Sequence, residues 1–166
     1  MNHLSIFMPY IEKFIELLKE KYGDRLISIC LFGSIARGDF NSNSDIDVLI
    51  IIKGFSSDLD SRISELFEIK RKLRRSIEYK NLLKNNMPRM ISEIVFTPDE
   101  VSRHPPILLD IIIDGVIVYD KNDFLRKELE KLKVKLNSIG AKRIKSKHGW
   151  YWILKPNIKF GEVIKI

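Results

Sequence analysis

The feature that most constrains this chain is a pair of short, almost wholly apolar runs, Leu26–Phe32 (LISICLF) and Ile46–Ile52 (IDVLIII), separated by a polar stretch. Runs of this length and β-branched content read as strands, and strands apolar on both faces belong inside a layered fold with cover on each side. The second run opens with two aspartates one residue apart, Asp45 and Asp47. Placing like charges at the mouth of a buried strand costs several kcal/mol apiece unless something compensates them.

The flanking segments supply the cover. Phe7, Ile11, Phe14 and Leu18 recur at helical spacing and predict a helix over Met8–Lys21, broken at Gly23-Asp24. Gly33-Ser34 predicts a turn with a short helical piece, Gly38-Asp39 to Ser44 a polar loop, and Gly54 to Ser57 another loop. Ile63, Leu66, Phe67, Leu73 and Ile77 predict a second helix with a basic face at Lys70, Arg71, Lys72, Arg74 and Arg75, and Asn85, Asn86 and Pro88 end it or its continuation. Arg89–Phe96 reads as a third strand, Thr97–Glu100 as a turn into a short helix, Pro105-Pro106 to Asp114 as a helix broken by Gly115, and Val116–Tyr119 as a fourth strand. Leu125, Leu129, Leu132, Leu136 and Ile139 mark a last amphipathic helix. Beyond it HGWYWILKP suggests a hairpin and KFGEVIKI a further strand. The expected class is α/β (α+β): a mixed sheet of about four strands packed with helices. The expected division is a domain over 1–120 and a basic C-terminal helix and β-like tail over 121–166, packed on the same domain.

Charge separates the same two parts. The net charge of the chain is +7, yet residues 1–120 hold 16 Lys and Arg against 18 Asp and Glu, and residues 121–166 hold 13 against 4. The C-terminal excess suits either a solvated lysine-rich helix face, the preferred reading, or a surface for nucleic acid. No apolar run approaches the ~20 residues that span a bilayer, and the N-terminus lacks the pattern of a signal peptide, so a cytoplasmic location and no membrane partner are expected. The single cysteine, Cys30, reads as a core residue. His3, His104 and His148 show no metal-ligand spacing, and there is no phosphate-binding loop of the G-x-x-x-x-G-K-[ST] type.

Chemistry concentrates between Phe32 and Ile52. Residues i and i+2 of a strand share a face, so the Asp45 and Asp47 carboxylates can converge on a divalent cation such as Mg²⁺. Gly33 lets the backbone approach a ligand closely, helical N–H groups after it would favour a phosphate, the Ser34 hydroxyl adds a donor, and Arg37 adds a positive charge. Sites that hold two such ions commonly share a third carboxylate. Glu93, a charge inside the apolar run RMISEIVF, is the expected one and the expected general base, with Asp110 and Asp114 as competitors whose spacing fits the polar side of a helix.

Gly33-Ser34, ten residues, then Asp45-Ile46-Asp47 is the pattern G-S-x(10)-D-x-D, and the longer LFGSIARGDFNSNSDIDVLI, with Ala36-Arg37-Gly38 and Ser44, resembles the minimal nucleotidyltransferases of the DNA polymerase β superfamily. The resemblance covers about Leu26 to Phe96. It implies binding of a nucleoside triphosphate, ATP by preference, with two Mg²⁺ ions, and transfer of the nucleoside monophosphate to an acceptor hydroxyl. It implies Asp45, Asp47 and Glu93 as catalytic metal ligands and Gly33, Ser34, Arg37 and Ser44 as nucleotide-binding residues. It further implies, as one acceptor, a tyrosine of a HEPN-domain toxin partner. A non-catalytic antitoxin-like or nucleotide-sensing module, and an RNA-directed enzyme or binder, are the alternative readings.

Overall fold

The structure, a computed structural model, describes residues 3–55, 59–147, 149–159 and 162–164. Its helices are α1 (Met8–Tyr22), α2 (Gly33–Arg37), α3 (Leu59–Arg74), α4 (Ile77–Lys84), α5 (Pro98–Val101), α6 (Leu108–Asp114) and α7 (Phe124–Ser138). Its strands are β1 (Leu26–Phe32), β2 (Ile46–Ile52), β3 (Ile91–Phe96), β4 (Val116–Asp120), β5 (Lys142–Ser146) and β6 (Gly149–Ile153). Four strands form one sheet in the order β3-β2-β1-β4, and β5 pairs with β6 in a separate hairpin. β1 runs antiparallel to β2 and β4, whereas β2 and β3 are parallel, so the sheet is mixed.

The alternation of the central strands sorts the interior into two cores. Ile29, Leu31, Ile46, Val48, Ile50 and Ile52 join the apolar faces of α1, α3 and α4. Cys30, Phe32, Leu49 and Ile51 join α5, α6 and α7 on the opposite face. This two-sided burial is why both strands are nearly continuous in apolar residues. Asp47 lies between Ile46 and Val48 in sequence and therefore points to the second face, the one covered by α6 and α7. Cys30 is fully buried there, and burial pushes its thiol up to about 12, so it is a core residue.

Several boundaries follow from local chemistry. α1 carries Pro9 in its first turn and ends at Gly23, which has a positive φ of 51°. Thr97 and Glu100 form a reciprocal capping box that starts α5. The single helix expected through Leu73 and Ile77 is two helices: Ser76 takes an extended conformation and its hydroxyl accepts the Tyr79 N–H at 3.2 Å, capping α4 anew. Ile77 is consequently exposed, as is Phe67, and the buried stripe of α3 is Leu66, Ile69 and Leu73. The C-terminal hairpin begins earlier than HGWYWILKP, at Lys142, and Trp152 packs against the second core. Of KFGEVIKI, residues 159 and 162–164 are described and form no strand. The rest of that segment, together with Ser57, His148 and the Ile63 side chain, lies outside the described residues. No helix among the described residues is long and apolar enough to cross a membrane.

β4 is tied to α7 through Asp120. Its carboxylate accepts the Ser28 hydroxyl at 2.6 Å and the Leu125 and Arg126 N–H groups at 3.0 and 3.1 Å. It thereby satisfies two of the free donors at the start of α7. Asp120→Ala strands those donors and the buried Ser28 hydroxyl, and is expected to lower unfolding free energy by about 1–3 kcal/mol, read as a shifted urea midpoint with unchanged slope.

Candidate active site

The site is assembled at the ends of β1 and β2. Phe32 pairs with Asp47 in the antiparallel register, so the chain leaving β1 turns directly over the Asp47 side chain. Gly33 makes that turn with φ of +70°, and a Cβ built on it would lie 2.1 Å from Asp47 Oδ2. Only glycine allows both the left-handed backbone and the contact. α2 follows for five residues and stops at Gly38, φ +83°, whose N–H bonds Ser34 O at 2.9 Å. A Cβ at Gly38 would meet the His3 ring, and His3 Nε2 donates to Ile35 O at 2.9 Å, so the N-terminal segment pins α2 in place. Nothing local in the sequence signals that role for His3.

The loop before β2 is closed by Asn41 and Ser44. The Ser44 N–H donates to Asn41 O and the Ser44 hydroxyl accepts the Asn41 N–H, each at 3.0 Å, and Asn41 Oδ1 caps the Asn43 N–H at 2.9 Å. Ser44 thus shapes the loop that delivers Asp45. Asp45 is exposed and Asp47 half-buried. Burial raises the pKa of Asp47 above the ordinary carboxylate range and the Asp45 charge adds to this. A hydrogen bond from Ser92 and the Arg37 charge act against it. Arg37 donates from Nε to Asp39 at 3.1 Å and lies 3.9 Å from Asp114. The hydrogen bond to Asp39 holds its guanidinium firmly protonated.

Glu93 is not part of this group. In the parallel register of β2 and β3, Glu93 stands beside Val48 and Ser92 stands beside Asp47. Glu93 therefore faces the α1–α3 side of the sheet, where it pairs with Lys70 of α3 at 2.5 Å. The neutral Ser92 hydroxyl takes the place beside Asp47 expected of a third carboxylate. Among the described residues no group of three or more His, Cys, Asp or Glu side chains could hold a metal ion. Asp114, expected on the polar side of a helix, is largely buried and holds Arg143 at 2.8 Å.

Beside the Gly33 turn lies an open cleft of ≈ 430 Å³, lined by residues of the turn, of α6 and of the β5–β6 hairpin. The site thus sets a glycine turn on a half-buried carboxylate, with a second, exposed carboxylate two residues before it.

Comparison with known proteins gives the same class. The chain matches the model of the nucleotidyltransferase domain over residues 11–165 and belongs to that family. It is 32% identical over 125 residues to a Methanocaldococcus jannaschii protein named by inference as a protein adenylyltransferase, a match spanning 74% of this chain and 78% of the relative. A second protein of that organism with the same inferred name is 54% identical over 41 residues, 25% of this chain and 41% of the relative. Among solved structures, a chain of a toxin–antitoxin complex with AMP-PNP is 19% identical with a TM-score of 0.46, covering 78% of this chain and 91% of that one. A chain from a complex of tri-AMPylated Shewanella oneidensis HEPN toxin with its antitoxin is 16% identical with a TM-score of 0.44, covering 80% and 92%. The protein is a nucleotidyltransferase of mixed α/β fold.

Two outcomes follow from this geometry. Gly33→Ala forces a Cβ onto Asp47 Oδ2 at a positive φ, and is expected to cost about 1–3 kcal/mol of stability in thermal melts and to abolish transfer. Asp47→Asn is expected to raise the melting temperature of the metal-free protein at neutral pH. The folded-state pKa of Asp47 is raised, so its ionisation opposes folding as pH climbs from the unfolded value through the folded one. The gain should shrink as pH falls back through that window, and melts of both proteins across the acidic range read it.

Proposed function

We propose that the protein transfers AMP from ATP to a hydroxyl of a protein acceptor, with magnesium held at Asp45 and Asp47. The single observation that carries this is the Gly33 turn lying on the Asp47 carboxylate, with Asp45 on the same side. The acceptor oxygen would attack the α-phosphorus, the bond to the bridging α–β oxygen would break, the hydroxyl proton would be released and pyrophosphate would leave.

Each part of the site has a task in that reaction. The donors are hard carboxylate oxygens, and Asp47 is a half-buried carboxylate whose charge is unfavourable without a cation, which fits magnesium. Asp45 and Asp47 would hold the ion, which would supply positive charge beside a triphosphate. The set of two carboxylates and one neutral hydroxyl fits one ion better than the two that a third carboxylate would support. Gly33 and Ser34 are assigned to the phosphates, Arg37 to their charge, and Ser44 to the loop that aims Asp45. Glu93, on the other face, is assigned no chemical step. The choice of adenylyl group and protein acceptor is supported by the inferred name of the Methanocaldococcus jannaschii relative, and a HEPN-domain tyrosine is the acceptor implied by the sequence motif.

The test is label transfer from ATP labelled at the α-phosphate, with magnesium and extract from the source cells, alongside γ-labelled ATP. Label is expected from the α-position only, and Asp45→Asn and Asp47→Asn should each lower it by about 10³-fold or more, the scale of losing electrostatic support at a reacting phosphate. Glu93→Gln is expected to keep transfer within about threefold and to lower stability by about 1 kcal/mol, since only its hydrogen-bonded pair with Lys70 is lost. Transfer from the γ-position, or full transfer in Asp47→Asn, would overturn the proposal.

A further inference from the structure

The cleft beside the Gly33 turn has a wall that the nucleotidyltransferase motif does not contain. Arg143 of β5 and Trp150 of β6 line it together with Ile107, Asp110 and Asp114. Arg143 is only 11% exposed; its Nη2 donates to Asp114 Oδ2 at 2.8 Å and its guanidinium carbon lies 4.6 Å from the Trp150 ring centroid. Asp114 ends α6, so the bridge fixes the hairpin to the helix that covers the active face. Trp152, on the same face of the hairpin, packs into the second core and anchors it further. Trp150 itself remains 49% exposed. A half-exposed indole, with its cation partner held by a buried carboxylate, is an aromatic surface set in position before any ligand arrives.

We propose that Trp150 is the stacking platform for the base of the nucleoside triphosphate, with Arg143 as its positioning residue. This rests on the nucleotidyl-transfer reading above. The cleft begins at Gly33, the residue that touches Asp47, so a ligand whose phosphates lie at the aspartates can enter it with its other end. Beyond Arg37, which stands at the phosphate end, its charges favour the uncharged end: Arg143 is outnumbered by Asp110 and Asp114 and is already paired with Asp114. The phosphates therefore belong at the magnesium site and the flat ring belongs in the cleft. Stacking is tolerant of base identity, because every base presents a π-face.

The test is equilibrium binding of Mg-ATP to the full chain in a Trp152→Phe background, where Trp150 is the remaining tryptophan. Saturable quenching of its emission is expected. Trp150→Ala should raise the dissociation constant roughly tenfold and Trp150→Phe should restore it to within about threefold, as expected for one stacked base. Arg143→Ala should weaken binding in the same direction, and circular dichroism checks that each variant is folded. If Mg-ATP binds, with no change in Trp150 emission and equal affinity in Trp150→Ala, the base lies elsewhere. The stacking inference then fails while label transfer and its loss in Asp47→Asn still stand. If Mg-ATP does not bind the wild-type chain at all, the nucleotidyl-transfer reading fails and takes this inference with it.

Discussion

Everything at the active end of the molecule depends on the contact between the Gly33 turn and the Asp47 carboxylate. It exists because β1 and β2 are antiparallel neighbours in a register that sets Phe32 opposite Asp47. That register is fixed by apolar side chains: a slip of one residue would turn Leu49 and Ile51 out of one core and Val48 and Ile50 out of the other. A hydrophobic constraint thereby positions a polar site. Burial cost is concentrated on Asp47, and a carboxylate made unfavourable by burial and by Asp45 is one that gains from a cation.

The sheet also decides which parts of the chain can take part. Its two faces carry separate cores, and Asp47 opens onto the one built with α5, α6 and α7. The C-terminal hairpin joins that same core through Trp152, so the segment after α7 comes to the rim of the site rather than the back of the sheet. α3 and α4 belong to the other core, and with them Lys70 and Glu93. The basic C-terminal composition is divided accordingly. Leu125, Leu132 and Leu136 of α7 are buried, while many of its lysines form an exposed face.

What the sequence makes legible is what is local. The strand–turn–strand core, the two aspartates on one face, the turn at Gly33 and the stop at Gly38 all follow from residues within a few positions of one another. Ser76 is an intermediate case: it is a good N-cap residue in the middle of an apolar periodicity, and the periodicity outweighs it unless the cap is considered. The early start of the hairpin is hidden because Lys142–Ser146 is polar. Its strand character comes from pairing with Gly149–Ile153 and from Arg143 reaching Asp114.

Glu93 shows where local reading ends. ISEIVF presents two interleaved sets, Ser92 with Ile94 and Phe96, and Ile91 with Glu93 and Val95. Either set is compatible with a strand next to β2. Which set shares a face with Asp47 is a matter of parity, settled by pairing across the parallel ladder some forty residues away in sequence. A charge inside an apolar run attracts a functional assignment, yet the burial argument is equally met by an ion pair. Lys70, on a helix face that reads simply as basic, supplies it. The cleft side is assembled over a comparable distance: Asp110 and Asp114 arrive there on α6 and Arg143 on β5. A site begun by two adjacent strands is completed by long-range packing, and that part of it is written in the fold rather than in any motif.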